Sequence, residues 1–332
     1  MKSLLVLFLV TVASAQQESS IARWASEMRQ ARMQLANYKF AEAAESANAA
    51  LTIATRSGPA HPFLPLSYEL LGSIYREWGR CALSRANFSR AIEIWRKQPD
   101  PPAAWLFDAI VNLLNMLCEC EDYQTAAHKF HTYEAELQRL RSMPLDDARL
   151  LALRGSIALA TKHYREAEQY YRQEIEMLAR IPGATPTLIA EAQASLAVAL
   201  SRQGRQAESL AESENVISSL DSGISYPALL AEALNNAGYA LAKLGRKQEA
   251  QRTFERGLQV AIETVGEDTR FTAQLMLNYA RALRKNKETS AAAAMQQRAD
   301  TAYRRAFLRD TATVDVQDLS PSPAAFPRPT AH

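Results

Sequence analysis

The feature of this sequence that most restricts its fold is a repeat whose spacing alternates between 41 and 42 residues. Seven positions at this interval carry a residue that is small in all but one case: Ala31, Gly72, Leu114, Gly155, Ala197, Gly238 and Ala280. Twelve residues after each of them stands a second small residue, at Ala43, Ser84, Ala126, Ala167, Ser209, Ala250 and Ala292. Small residues in phase on two segments allow paired helices to approach closely. The spacing therefore predicts a stack of about seven helix pairs.

Composition and proline placement agree with an all-α fold. Hydrophobic residues make up 48% of the 332 residues and charged residues 22%, as in soluble folded proteins. Alternating β-branched runs, which would indicate strands, are scarce. A proline inside a helix costs about 3 kcal/mol. Ten of the 14 prolines fall between the predicted repeats and the other four lie near the C-terminus, so none interrupts a predicted helix.

One stretch, from Leu234 to Leu258, shows the repeat most clearly. Gly238 stands where two helices must touch, Gly245 marks a turn, and Phe254 follows on the second helix. This order resembles the helix–turn–helix unit of tetratricopeptide repeats. The repeat length is similar to that of the longer, 42-residue form found in kinesin light chains and in many bacterial repeat proteins. Units of that form often have His-Pro before their first helix, and His61-Pro62 stands at this place before the second repeat.

The resemblance implies both an architecture and a role. Stacked helix pairs of this family form a right-handed α-solenoid whose concave face is lined by the first helix of each pair. In the family that face holds extended peptides or partner segments. We therefore predict a non-catalytic scaffold or adaptor that binds a peptide or protein segment in its groove. The alternative is a structural array that associates with itself in the cell envelope.

The two ends of the chain differ from the repeats. Residues 1–15 contain Lys2, an apolar run from Leu4 to Val12 and the small residues Ala13-Ser14-Ala15, which is the layout of a secretory signal peptide. We expect cleavage before Gln16, export to a bacterial periplasm or out of the cell, and no membrane span afterwards, because the run is too short to cross about 30 Å of hydrocarbon. The solenoid is predicted over residues 16–309. Residues 310–332 are polar and proline-rich and are predicted to be disordered.

Helical phase places ten polar side chains on or near the predicted groove. An Asn on such a face can donate to and accept from a peptide backbone at once, and Asn112, Asn236 and Asn278 each lie two residues before a small-residue position. Arg and Lys would add a preference for acidic segments or a free carboxylate. For any single residue the alternative is a solvated polar group or a helix-packing hydrogen bond. The predicted groove residues are Arg76, Asn112, Asn115, Arg202, Asn236, Tyr239, Lys243, Asn278, Arg281 and Arg284.

Three cysteines are an odd number for an exported protein. Cys81 begins the second helix of repeat two and Cys118 lies near the end of the first helix of repeat three. A bridge from Cys81 to Cys118 or to Cys120 is a hypothesis, with free thiols as the alternative. A zinc site from Cys118, Cys120 and the following histidines His128 and His131 is disfavoured by the Cys-x-Cys spacing, so no metal is expected.

Nothing in the sequence indicates catalysis. It has no glycine-rich phosphate loop, no His-Glu-x-x-His and no nucleophile elbow, so we expect neither an enzyme nor a cofactor. The formal charge of +2 gives no argument for nucleic acid. The carboxylates Glu166, Glu168, Glu174 and Glu176 are interpreted as solvated helix faces.

Overall fold

The computed structural model describes residues 2–56, 61–98, 102–120, 122–221 and 226–311, with side chains from Ser19 to Ala306. These residues form fourteen α-helices and no β-strand, which confirms the all-α prediction. The helices are α1 (Lys2–Ala36), α2 (Phe40–Arg56), α3 (Phe63–Glu77), α4 (Cys81–Arg96), α5 (Ala103–Glu119), α6 (Tyr123–Leu140), α7 (Pro144–Ala160), α8 (Tyr164–Leu178), α9 (Pro186–Arg202), α10 (Gln206–Asp221), α11 (Pro227–Lys243), α12 (Lys247–Val265), α13 (Arg270–Lys285) and α14 (Thr289–Thr311).

The helices form seven antiparallel pairs that stack in chain order. Each odd-numbered helix packs on the helix that follows it, and α9 also contacts α11, as α11 contacts α13. The seven small-residue positions all lie in the odd-numbered helices. Contacts confined to sequential neighbours define a solenoid, and each pair buries its apolar side only because another pair covers it.

Glycine and an aromatic ring fit together inside three of the pairs. A Cβ atom added to Gly72 would lie 2.8 Å from the Phe88 ring, and one added to Gly155 would lie 2.6 Å from the Tyr171 ring. Both distances are shorter than van der Waals contact, so these rings occupy the space that a side chain would need. In the repeats that have Ala31 or Ala197 instead, the facing residue is small as well.

The third repeat departs from this arrangement because both facing residues are bulky. Leu114 is fully buried, so Phe130 is only partly buried beside it. Helix α6 consequently buries only Ala126 and Leu137 fully. A crevice of about 580 Å³ lies among the last turn of α6, the start of α7 and the end of α8.

Proline positions refine the predicted helix starts. Pro144, Pro186 and Pro227 each occupy the first helical position, where the missing N–H is not needed. Pro65, expected between repeats, lies in the first turn of α3. It is tolerated there for the same reason, because the first four N–H groups of a helix have no intrahelical partner.

The two ends of the predicted domain plan remain predictions. Helix α1 includes residues of the predicted signal peptide, but their side chains lie outside those that the structure describes. The predicted disordered tail falls almost entirely on residues 312–332, which also lie outside the described ranges. Across the residues that are described, no helix is both long enough and apolar enough to cross a membrane.

The structure forms a disulfide between Cys81 and Cys120, whose Cα atoms are 6.0 Å apart. The pairing of Cys81 with Cys118 is therefore wrong, and Cys118 is a free, half-buried thiol. Two residues along a helix are separated by about 200° around its axis, so Cys118 faces away when Cys120 faces α4. Cys118 packs against the core instead, and burial raises the pKa of its thiol to about 12.

The disulfide should contribute to stability because it closes a loop with a sequence separation of 39 residues. We expect the double substitution Cys81→Ser and Cys120→Ser to lower the free energy of unfolding by about 2–4 kcal/mol, mainly by loosening the unfolded chain. Urea denaturation followed by circular dichroism measures this difference. Cys118→Ser is the matched control that leaves the bridge in place. An unchanged midpoint for the double variant would show that the bridge does not constrain the fold.

Candidate functional site

Side chains from distant repeats meet on the inner face of the coil, and Arg76 lies at their centre. Its guanidinium pairs with Glu77 at 2.8 Å and lies 3.7 Å from a carboxylate oxygen of Glu119 on α5. Glu191 on α9 and Tyr226, just before α11, are close enough for charge interaction with Arg76. Repeats two and three therefore face repeats five and six across the inside of the coil.

Two side-chain contacts close the coil. Arg270, the first residue of α13, donates hydrogen bonds to the Gly79 carbonyl oxygen at 3.4 Å and to Cys81 Sγ at 3.3 Å. The Tyr38 side chain lies near Tyr226 and the backbone of Ala228 at the start of α11. The turns of the first two repeats thus touch the starts of two inner helices near the other end of the stack, and they enclose the inner face.

A row of carboxyl groups lines this enclosed face. Glu119, Glu191 and Glu232 belong to α5, α9 and α11, and the protein around them raises the pKa of each carboxyl. For Glu232 burial raises the pKa to about 7, with Glu119 and Glu191 adding repulsion. Glu174 on α8 is close enough to Glu191 for charge repulsion, and burial followed by this repulsion raises its pKa to about 8.

Two of the three predicted asparagines, Asn112 and Asn236, lie on helices of this row, and Asn278 lies on α13. Asn112, Asn236 and Asn278 are half-buried. The Nδ2 atom of Asn236 is buried without a hydrogen-bond partner. Asn278 donates to Asn235 Oδ1 at 3.2 Å and accepts from Arg281 at 3.1 Å, so α13 is tied to α11 by an amide pair.

Comparison with known proteins agrees with this architecture. The tetratricopeptide repeat family matches residues 229–305 and, separately, residues 148–177. The chain therefore contains tetratricopeptide repeats over these residues. No curated protein sequence matches it.

Solved structures similar to this repeat protein support the same fold. The Rap conjugation gene regulator of plasmid pLS20, in complex with the Phr* peptide, aligns with a TM-score of 0.70 at 13% identity over 91% of this chain and 79% of that one. The apo form of RapI gives 0.61 at 11% identity over 85% and 98%. A tetratricopeptide repeat protein from Parabacteroides merdae gives 0.51 at 17% identity over 85% and 94%. At these identities the similarity shows the shared solenoid fold.

The remaining predicted groove residues of this repeat protein fall into two groups. Asn115 and Tyr239 are half-buried, and Lys243 Nζ lies 5.2 Å from the centre of the Tyr239 ring. The side chains that reach farthest into solvent are Arg202, Lys243, Arg281 and Arg284. Whether any of the ten residues binds a partner stays a prediction.

The carboxyl row is the part of the site that the sequence analysis missed. Glu174, interpreted as part of a solvated face, is only 8% exposed, and its Oε2 atom has no hydrogen-bond partner. It occupies a packing position between its own repeat and the next, where most repeats have an apolar or small residue. A signal did exist, because Glu191 and Glu232 each lie six residues before a small-residue position.

The cysteine–histidine set does not gather into a metal site. Cys120 is in the disulfide, which removes its thiolate. Within the described part of the chain, no three His, Cys, Asp or Glu side chains are placed to hold a metal ion together. The carboxyl row is spread over several helices rather than gathered around a point.

Glu174 should make the stability of the protein depend on pH. Because the folded-state pKa, about 8, lies above the reference value of 4.5, the folded protein holds a proton that the unfolded chain releases. The free energy of unfolding contributed by this group should therefore fall as pH rises from about 4.5 to about 8. Glu174→Gln should remove this part of the pH dependence and raise stability at pH 8 by about 1–3 kcal/mol.

The measurement is urea denaturation across that pH range. Glu176→Gln is the control, because Glu176 is exposed on the same helix and pairs with Arg180. Equal pH profiles for the wild type and Glu174→Gln would contradict the assignment.

Proposed function

We propose that this tetratricopeptide repeat protein binds an extended peptide or protein segment along the inner face of its coil, without catalysing a reaction. The observation that carries the proposal is the meeting of polar side chains from repeats two, three, five and six on one enclosed face. A segment lying there would touch several repeats at once. Affinity would then come from many weak contacts spread along the segment.

An unmet hydrogen-bonding group on that face supports a polymeric ligand. A buried donor without a partner is unfavourable by about 1–3 kcal/mol, and the Nδ2 atom of Asn236 is such a donor. A peptide carbonyl placed beside Asn236 would supply the missing acceptor. The regulator of plasmid pLS20, which has the same fold, was solved in complex with a peptide. That complex supports a peptide ligand for this chain by analogy of fold.

The test is a binding screen with a library of random peptides and full-length protein. We expect the wild type to select peptides, and a variant with Asn112, Asn236 and Asn278 all changed to Ala to bind them about 10- to 100-fold more weakly. Two or three lost hydrogen bonds to the peptide backbone account for that range. The matched control changes three exposed amides on outer helices, Gln251, Gln259 and Gln297, to Ala.

Two outcomes would contradict groove binding. Equal binding by both triple variants, with circular dichroism showing intact folds, would place the ligand on another surface. A chain that selects no peptide but whose mass in light scattering rises with concentration would favour the self-associating array instead.

We also propose that the chain is exported, to a bacterial periplasm or out of the cell. The signal-like residues 1–15 support this, and so does the Cys81–Cys120 bridge, since disulfides persist mainly in oxidising compartments. Expression of the full chain in a bacterial host, followed by fractionation and mass measurement, should yield an exported protein that begins at Gln16. Substituting Ala13 and Ala15 by Arg should block this cleavage. An unprocessed wild-type chain in the cytoplasm would contradict export.

A further inference from the structure

The carboxyl groups on the inner face outnumber the cations available to pair with them. Arg76 serves both Glu77 and Glu119. Arg149 lies one repeat before Glu191 at the equivalent position, but it is paired with Asp108 and lies 3.9 Å from Asp146. Within the described ranges, Glu174, Glu191 and Glu232 take part in no ion pair.

Glu174 gives a second, independent indication of a missing partner. Its side chain is more than nine-tenths buried, and its Oε2 atom accepts no hydrogen bond. It lies close enough to Glu191 for charge repulsion, and Glu191 in turn repels Glu232. Glu174 is the buried member of the row, and a buried carboxyl group is normally paired. Glu119 and Glu191 are exposed on the inner face and Glu232 is half-buried, so a cation supplied from outside can reach them.

We propose that the inner face selects a cationic segment, whose Lys or Arg side chains enter between Glu119, Glu191 and Glu232, with Glu174 close to Glu191. This inference rests on the proposed function and names the chemistry of its ligand. Charges carried at intervals along a peptide suit carboxyl groups that are spread over α5, α8, α9 and α11.

The preference for acidic segments, expected from Arg and Lys in the sequence, has little support at this part of the face. Arg76 is already paired. Arg202 and Lys243 lie eleven residues after Glu191 and Glu232 on the same helices, which is about 16 Å along the axis. Those two cations are exposed at the far ends of α9 and α11, so they do not neutralise the row.

The test uses three capped peptide mixtures in which alternate positions are fixed as Lys, Gln or Glu and the rest are randomised. Fluorescence anisotropy with the full chain should show the Lys mixture binding at least about tenfold more tightly than the other two, with affinity falling as salt rises. The double variant Glu191→Gln and Glu232→Gln should lose that advantage. The control, Glu166→Gln and Glu176→Gln on the exposed side of α8, should keep it.

A charge reversal separates recognition from a structural role. Glu191→Lys with Glu232→Lys should shift the preference to the Glu mixture, which a purely structural effect would not do. Preference of the wild type for the Gln or Glu mixture, lost in the Asn236→Ala variant, would overturn cationic selection and leave groove binding intact. No binding of any mixture would overturn both. Spermidine binding as tightly as the Lys mixture would show a site for free amines and overturn the peptide assignment.

Discussion

The close approach of the two helices within each pair is the interaction on which the rest of the structure depends. Gly238 brings α11 against α12 so closely that an added Cβ would lie 3.0 Å from the Phe254 ring. The ring then fills the space beside the glycine, and both helices present flat sides to the next pair. Because each pair contacts only its neighbours, an error in one pair is passed on as a change in the direction of the stack.

The third repeat shows what happens when this approach is prevented. Leu114 stands where other repeats have a small residue, so it fills the space that the Phe130 ring would otherwise occupy. Helix α6 therefore buries fewer side chains against its neighbours. The core compensates elsewhere, because α5 is the most apolar inner helix and buries Phe107, Ile110 and Leu114 completely. The neighbouring disulfide ties the end of α5 to α4 in the same region.

The fold could be predicted from the sequence because its determinants are local and periodic. Gly72 and Ser84 lie only twelve residues apart, and the Ser84 hydroxyl donates to the Gly72 carbonyl at 2.8 Å. The site depends on contacts such as that between Arg270 and Gly79, which are 191 residues apart in the chain. The spacing of residues within one repeat cannot predict a contact between two distant repeats. The interpretation of Glu174 as solvent-exposed was wrong for a related reason. Its charge indicated exposure to solvent, whereas its position in the repeat is one that packs against the next helix pair and is buried.

The coil is open along one side, and its two edges approach each other only near Arg270 and Tyr38. The described helices on the two sides of the split have no direct packing, so only side-chain contacts hold the edges together. Hydrogen bonds of this kind contribute about 0.5–1.5 kcal/mol each. Such a coil can widen by small changes distributed over all seven pairs, without breaking any one of them. If the inner face binds a segment as proposed, that segment can enter sideways through the split rather than thread from one end.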